Sequence, residues 1–268
     1  MNQRFYWLIV VLAIFLGIAI PESTLAMNLE ELSISVAYLR GGDKIGTGFF
    51  VTSSQPYLVT AAHVAVFLSP QSTLTIRAHG DKPVTFTLDE FSPGKAELPW
   101  HFHPEADVAV LALTITDKTL PLFQGRFLTD DMIEPEESAP QRERPLVVMG
   151  FPLALGTVGR FSPITSEAKT ASGLLRLNRF DNKKEATFFV LDKPSIGGFS
   201  GAPVYLMPGA YFNGAVMVMP SISTPAKCIG LVHGTLSDNT GGKLAAVVPA
   251  AFIVQTIKLV EASGPSQK

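Results

Sequence analysis

The sequence predicts an all-β fold, an antiparallel barrel or sandwich, on three observations. Short runs of β-branched and aromatic residues recur between polar or glycine-bearing turns. No segment before Pro249 sustains a helical period, so crossover helices of an α/β sheet are missing from the pattern. Midway, from Thr114 to Arg144, the apolar patterning yields to a polar, proline-bearing stretch that divides the runs into two groups.

Taken in order, the chain opens on an address rather than on fold. Arg4 precedes an unbroken apolar run from Phe5 to Ile20, then Pro21 and the small-residue site Thr24-Leu25-Ala26. That is the layout of a secretory signal peptide over residues 1–26, cut after Ala26. Left uncleaved, the run falls only slightly short of the roughly 17–25 apolar residues that span a bilayer and would act as an anchor. No cysteine follows it, which excludes lipid modification at that point.

Strands are expected at Leu32–Tyr38, Gly46–Val51, Tyr57–Thr60, Leu74–Ala78, Val84–Leu88 and Val108–Leu113, in an N-terminal unit over residues 27–124. Residues 125–144 form the crossover; their acidic run, including Asp130, Asp131, Glu134, Glu136 and Glu137, suits a solvated linker. A second unit, residues 145–268, resumes with Pro145–Pro152. It continues with strand-like runs at Thr187–Leu191, Val204–Leu206, Ala215–Met219, Ile229–Val232 and Leu244–Val248. From Pro249 to Ala262 the apolar residues Phe252, Ile253, Ile257, Leu259 and Val260 take helical spacing after a proline suited to a helix start.

Composition narrows the function classes. The 268 residues are 47% hydrophobic, enough for a sizeable core, and carry a formal charge of −2 with no basic run. Neither nucleic acid nor anionic lipid is invited by that balance. The single cysteine, Cys228, rules out an intramolecular disulfide and reads as a small buried hydrophobe. His101 and His103 stand at i, i+2, but no third ligand has suitable spacing, so no metal site is assigned.

The chemistry gathers at Ser195-Ile196-Gly197-Gly198-Phe199-Ser200-Gly201-Ala202-Pro203. Glycines on either side of Ser200 permit a sharp turn in which the amides of Gly198 and Ser200 can converge on one oxygen. A serine hydroxyl is a weak nucleophile until a base takes its proton, which obliges the chain to supply a histidine and a carboxylate. His63 in Thr60-Ala61-Ala62-His63-Val64 and Asp107 in Asp107-Val108-Ala109-Val110-Leu111 answer that need. Asp107 begins an apolar strand, where a carboxylate requires a partner.

In this order, the three motifs resemble the signatures of the chymotrypsin-like (trypsin-like) serine endopeptidases, from about Ile34 to Leu259. The resemblance implies two antiparallel six-stranded β-barrels with a C-terminal helix on the second. It implies a triad of His63, Asp107 and Ser200, an oxyanion hole from Gly198 and Ser200, protein or peptide substrates, and no cofactor. The lack of disulfides is like bacterial members, and the leader over residues 1–26 implies export, periplasmic or extracellular, with the protein free of the membrane once the leader is cut.

For the side chain before the cut, the resemblance places Pro194 at the base of the pocket. Val232, His233 and Gly234 lie on the strand that walls it. Pro194 supplies no anion for Lys or Arg, so a small or aliphatic residue is expected there. His233 is expected either on the catalytic carboxylate or accepting an acidic side chain. Phe199 stands where animal relatives carry the aspartate that pairs with a freed N-terminus, so activation by propeptide cleavage has no counter-ion; Ala202 replaces a common glycine. An α/β-hydrolase would need Gly-x-Ser-x-Gly and the reverse chain order. A catalytically inactive binding protein of the same fold is the remaining alternative.

Overall fold

The first ordered turn is fixed by its own caps. The Asn28 side chain accepts from the Glu31 amide at 3.0 Å while the Glu31 carboxylate accepts from the Asn28 amide at 2.8 Å, starting α1 (Leu29–Ser33). The computed structural model describes residues 28–263 except 143, 210, 214–215 and 219–224. The expected leader, residues 1–26, and part of the expected strand Ala215–Met219 lie outside the described residues.

Two antiparallel sheets follow. The first contains β1 (Val36–Gly41), β2 (Lys44–Thr52), β3 (Pro56–Thr60), β4 (Thr73–Arg77), β5 (Pro83–Thr87), β6 (His101–Phe102) and β7 (Ala109–Ala112), in the order β5-β4-β1-β2-β3-β7-β6. The second contains β8 (Leu146–Gly150), β9 (Ile164–Ala168), β10 (Leu175–Asn178), β11 (Glu185–Leu191), β12 (Pro203–Leu206), β15 (Lys227–Ser237) and β16 (Lys243–Pro249). Its order is β10-β11-β16-β15-β12-β8-β9, and β13 (Tyr211–Asn213) pairs with β14 (Val216–Val218) apart from it. The double-barrel architecture is thus present, with seven strands in each sheet rather than the expected six. The two-residue β6 is too short to register as a run, and β10, Leu-Arg-Leu-Asn, is largely exposed.

Burial along the core strands is continuous rather than alternating, over the longest stretches in β2 from Gly46 to Val51, in β11 from Ala186 to Leu191 and in β15 from Cys228 to His233. The two halves pack against each other and are joined by direct hydrogen bonds. The Thr47 amide donates to the Ser200 carbonyl at 2.9 Å, and the Ser35 and Tyr205 hydroxyls meet at 2.9 Å. One continuous core holds Leu39, Phe49 and Leu58 from the first half and Phe151, Tyr205 and Leu231 from the second. The crossover is tied to both sheets, by parallel bridges Val51–Leu128 and Ile133–Cys228.

The C-terminal helix, α4 after the short α2 (Ala62–Ala65) and α3 (Leu120–Phe123), spans Ala251–Ala262. Expected on the second barrel alone, it also reaches the first: Gln255 bonds His103 at 3.1 Å and Glu261 accepts from the Ser54 hydroxyl at 2.6 Å. Cys228 is fully buried, and burial pushes its thiol up to about 12, so it is inert packing. Among the described residues no helix is long and apolar enough to cross a membrane.

Candidate active site

His63 sits on the single turn α2, which starts where β3 ends, and Asp107 stands two residues before β7. Because β3 and β7 are paired, with Thr60 opposite Ala109, the two side chains are brought to one end of the first sheet. The Asp107 carboxylate is fully buried; its Oδ1 accepts from the His63 amide at 2.9 Å and its Oδ2 meets His63 Nδ1 at 2.7 Å. The Nδ1 nitrogen thus carries the proton, and Nε2 has no bonded partner among the described residues.

His233 joins the same carboxylate. Between Val232 and Gly234 the β15–β16 register slips, so His233 is the extra residue of a bulge and has no opposite number on β16. Bulges re-aim side chains, and this one turns the ring of His233 onto Asp107 Oδ2 in a short hydrogen bond. Its Nε2 accepts from the Phe180 amide at 3.0 Å, which fixes the tautomer with the proton on Nδ1. Of the two expectations for His233, the ring takes the carboxylate. Burial pushes the Asp107 carboxyl up, but the hydrogen bonds from His233 and His63 and their charge outweigh it, holding the group well below the usual carboxylate range.

Ser200 lies at the same junction. Its hydroxyl donates to the His233 carbonyl at 3.3 Å, and the His63 and His233 rings meet edge-to-face at 5.4 Å. No direct hydrogen bond joins Ser200 to His63 among the described residues.

Before Ser200 the chain is held by its carbonyls. Leu153 donates its amide to the Gly197 carbonyl at 2.7 Å, and the Thr47 hydroxyl donates to the Gly198 carbonyl at 2.7 Å. With those oxygens anchored, the amides of Gly198 and Ser200 have no protein acceptor among the described residues. Two unsatisfied donors beside a serine hydroxyl suit an incoming oxyanion. Gly198 takes φ +104°, and a Cβ there would overlap the Phe151 carbonyl oxygen. Phe199 turns the other way into the second barrel, 4% exposed, among Leu146, Val148, Leu191 and Val204. That burial is worth about 1.5–3 kcal/mol and needs no charged partner.

Pro194 and Val232 line a small cavity with the apolar Val148, Leu191 and Phe199 and with Ser166, Lys193 and Ser195. His233 and Gly234 are not among its lining residues; the Thr235 hydroxyl donates to the Ser195 carbonyl at 2.7 Å, tying the strand that follows them to the segment before Ser200.

The structure separates His101 from His103. His101 is exposed, whereas His103 is buried, with Nδ1 accepting from the amides of Glu105 and Ala106 at 3.1 and 2.9 Å and Nε2 donating to Gln255. His63, Asp107 and His233 offer three ligand atoms in one cluster. A tetrahedral zinc ion, about 2.0–2.2 Å from each ligand, holds its ligand atoms more than about 3 Å apart. The 2.7 Å contact here is a hydrogen bond.

His103 orients the loop that delivers Asp107, and burial holds its imidazole below the ordinary value. The neutral form is the one that accepts both amides. Its contribution to stability is therefore present above the unfolded value of about 6.5 and is lost as pH falls through the lower folded one. As pH falls below about 6.5 the melting temperature is expected to decline from this group. His103→Phe will melt lower at pH 7.0 but flatten that decline; an undiminished decline would assign it to another group.

Arg179, Phe180, Thr47 and Leu153 escape the sequence reading. Arg179 and Phe180 stand in the polar run Asn178-Arg179-Phe180-Asp181-Asn182, which reads as a solvated turn, and Thr47 reads only as strand.

A model of the trypsin-like peptidase domain matches residues 46–209. No curated protein matches the sequence. Among solved structures, the chain is similar to Rv3671c from M. tuberculosis H37Rv, a serine-to-alanine mutant in an inactive form, with TM-score 0.55 and 18% identity over 92% of this chain and 96% of that one. It is also similar to Deg5, with TM-score 0.54 and 17% identity over 88% and 92%.

Proposed function

Because the chain belongs to the trypsin-like peptidase family, we propose that it is a serine endopeptidase working through Ser200, His63 and Asp107 by way of an acyl-enzyme. The observation that carries this reading is the His63 Nδ1–Asp107 bond at 2.7 Å, which leaves Nε2 without a bonded partner among the described residues, in a chain whose Gly198 and Ser200 amides likewise have no protein acceptor there. His63 Nε2 takes the serine proton as Oγ attacks the peptide carbonyl, and then gives it to the leaving amine. Asp107 holds the tautomer and balances the imidazolium. The amides of Gly198 and Ser200 receive the negative oxygen of each tetrahedral intermediate. Water then repeats the sequence on the acyl-enzyme and frees Ser200. Export belongs to the same proposal, on the leader-like residues 1–26.

The pocket favours a small or aliphatic residue before the cut. Pro194 brings no carboxylate to meet Lys or Arg, and the small cavity it lines is walled mainly by apolar side chains, with Lys193 as its charged member. Cleavage of a proteome-derived peptide library should give products with Ala, Val or Leu before the cut and none from Ser200→Ala. A strong Lys or Arg preference would contradict the pocket assignment.

The other reading, a non-catalytic binding protein, draws on the Ser200 hydroxyl resting on the His233 carbonyl. Catalytic hydrogen bonds often tighten only with substrate bound, and that contact is weak at 3.3 Å, so the enzyme reading is preferred.

A further inference from the structure

The hairpin of β10 and β11 belongs to the second sheet, yet its tip reaches the catalytic carboxylate in the first. Arg179, its side chain 6% exposed, donates from Nη2 to Asp107 Oδ1 at 3.2 Å and from Nη1 to the Glu105 carbonyl at 3.2 Å. Asp181 holds the other side of the guanidinium at 2.7 and 3.0 Å. The next residue, Phe180, donates its amide to His233 and stacks on that ring at 4.5 Å and 21°. One turn therefore supplies a cation to one oxygen of Asp107 and fixes the imidazole on the other.

We propose that Arg179 is a positioning residue of the catalytic centre, clamping Asp107 so that Oδ2 stays directed at the imidazoles of His63 and His233. This deepens the protease reading and rests on it. Each carboxylate oxygen takes two donors, Oδ1 from the His63 amide and Arg179, Oδ2 from His63 and His233 Nδ1. Turning the carboxylate would break all four bonds. Without Arg179, one side of the group is held by a single amide and the hairpin loses its anchor. Misplacing a reacting group by about 1 Å can cost ~10²-fold in rate.

Charge adds a second effect. His63 is faced by Asp107 from the loop before β7, by His233 from β15 and by Ser200. Arg179 and Asp181 from the hairpin and His103 from the β6–β7 loop line the cleft beside it. Arg179 is the cation that offsets the two carboxylates. Removing it favours the protonated ring at rest, which moves the acid limb of activity to higher pH.

The test compares Arg179→Gln, Arg179→Lys and the control Arg176→Gln, which removes an exposed pair with Glu185 elsewhere on the hairpin. On a fluorogenic casein, Arg179→Gln is expected to lose about 10–100-fold in kcat with KM changed less than about twofold, and to shift the acid limb upward. Arg179→Lys keeps the charge, so its limb stays in place while its single-point contact still costs on the order of tenfold in kcat. Arg176→Gln matches wild type. Independently of turnover, imidazole Nδ1–H resonances are recorded in a Ser200→Ala background. Those of His63 and His233 should lie at low field and move or broaden in Arg179→Gln. This arm stands even if no protein is hydrolysed. An unchanged acid limb and unchanged resonances, whatever the melting temperature, would overturn the proposal. If Arg179→Gln does not fold, wild-type kcat in Arg179→Lys would do the same.

Discussion

Ser200→Ala is expected to remove hydrolysis of casein by on the order of 10⁴–10⁶-fold in kcat, with the melting temperature of the protein nearly unchanged. The hydroxyl makes one weak hydrogen bond, to the His233 carbonyl at 3.3 Å, so its loss costs the fold little. Its chemistry cannot be replaced, because His63 then has no proton to take and no acyl-enzyme forms. Residual turnover should be insensitive to a further His63→Ala change, since the two residues act as a unit. Substantial activity in Ser200→Ala would require a different nucleophile, and the buried Cys228 thiol is out of reach of substrate.

Gly198→Ala carries the second large effect. At φ +104° an L side chain is strained, and its Cβ would strike the Phe151 carbonyl, a backbone atom that cannot swing aside. Relief requires the Gly197–Gly198 peptide to turn, breaking the bonds from Leu153 and Thr47 and withdrawing the Gly198 amide from the place where the oxyanion forms. One oxyanion donor is worth about 10²–10³-fold in kcat, so a loss of that size is expected with KM little altered. A rise in KM alone, with kcat retained, would show that this amide does not face the reacting oxygen. Gly201, at φ +82° with Thr47 and Thr60 against it, is the companion position: substitution there would open the contact between the sheets.

How far the sequence reveals this site depends on whether a residue's role is local. Ser200, His63 and Asp107 stand in short motifs whose small neighbours are needed for the turn, so those residues announce themselves. The strand pattern and the terminal helix are legible because alternation and helical spacing are properties of adjacent residues. His233 is half legible: its strand can be recognised, but the bulge that turns its ring onto Asp107 depends on register against β16, which no local pattern records. Arg179 is hidden altogether, because a guanidinium in a polar turn is ordinarily solvated and here is buried by a partner 72 residues away. Thr47 is hidden for a like reason, since its hydroxyl serves the oxyanion loop 151 residues later. The helix α4 shows the same limit: its apolar face is readable, but Gln255 reaching His103 is not.

Phe199 illustrates a residue whose identity is explained by its environment. An aspartate there would need a buried cation, whereas the pocket between Leu146, Val148 and Leu191 is apolar and takes a ring. The loop before Ser200 is thus anchored by packing on one side and by Thr47 and Leu153 on the other.

The most direct measurement is the reaction of the purified protein with a fluorophosphonate, followed by mass spectrometry of the modified peptide. A single adduct on Ser200, absent in Ser200→Ala and slowed at least about 10³-fold in His63→Ala, is the predicted result. A protein that takes no adduct, takes it on another residue, or labels at the same rate without His63 would contradict an activated serine at this junction.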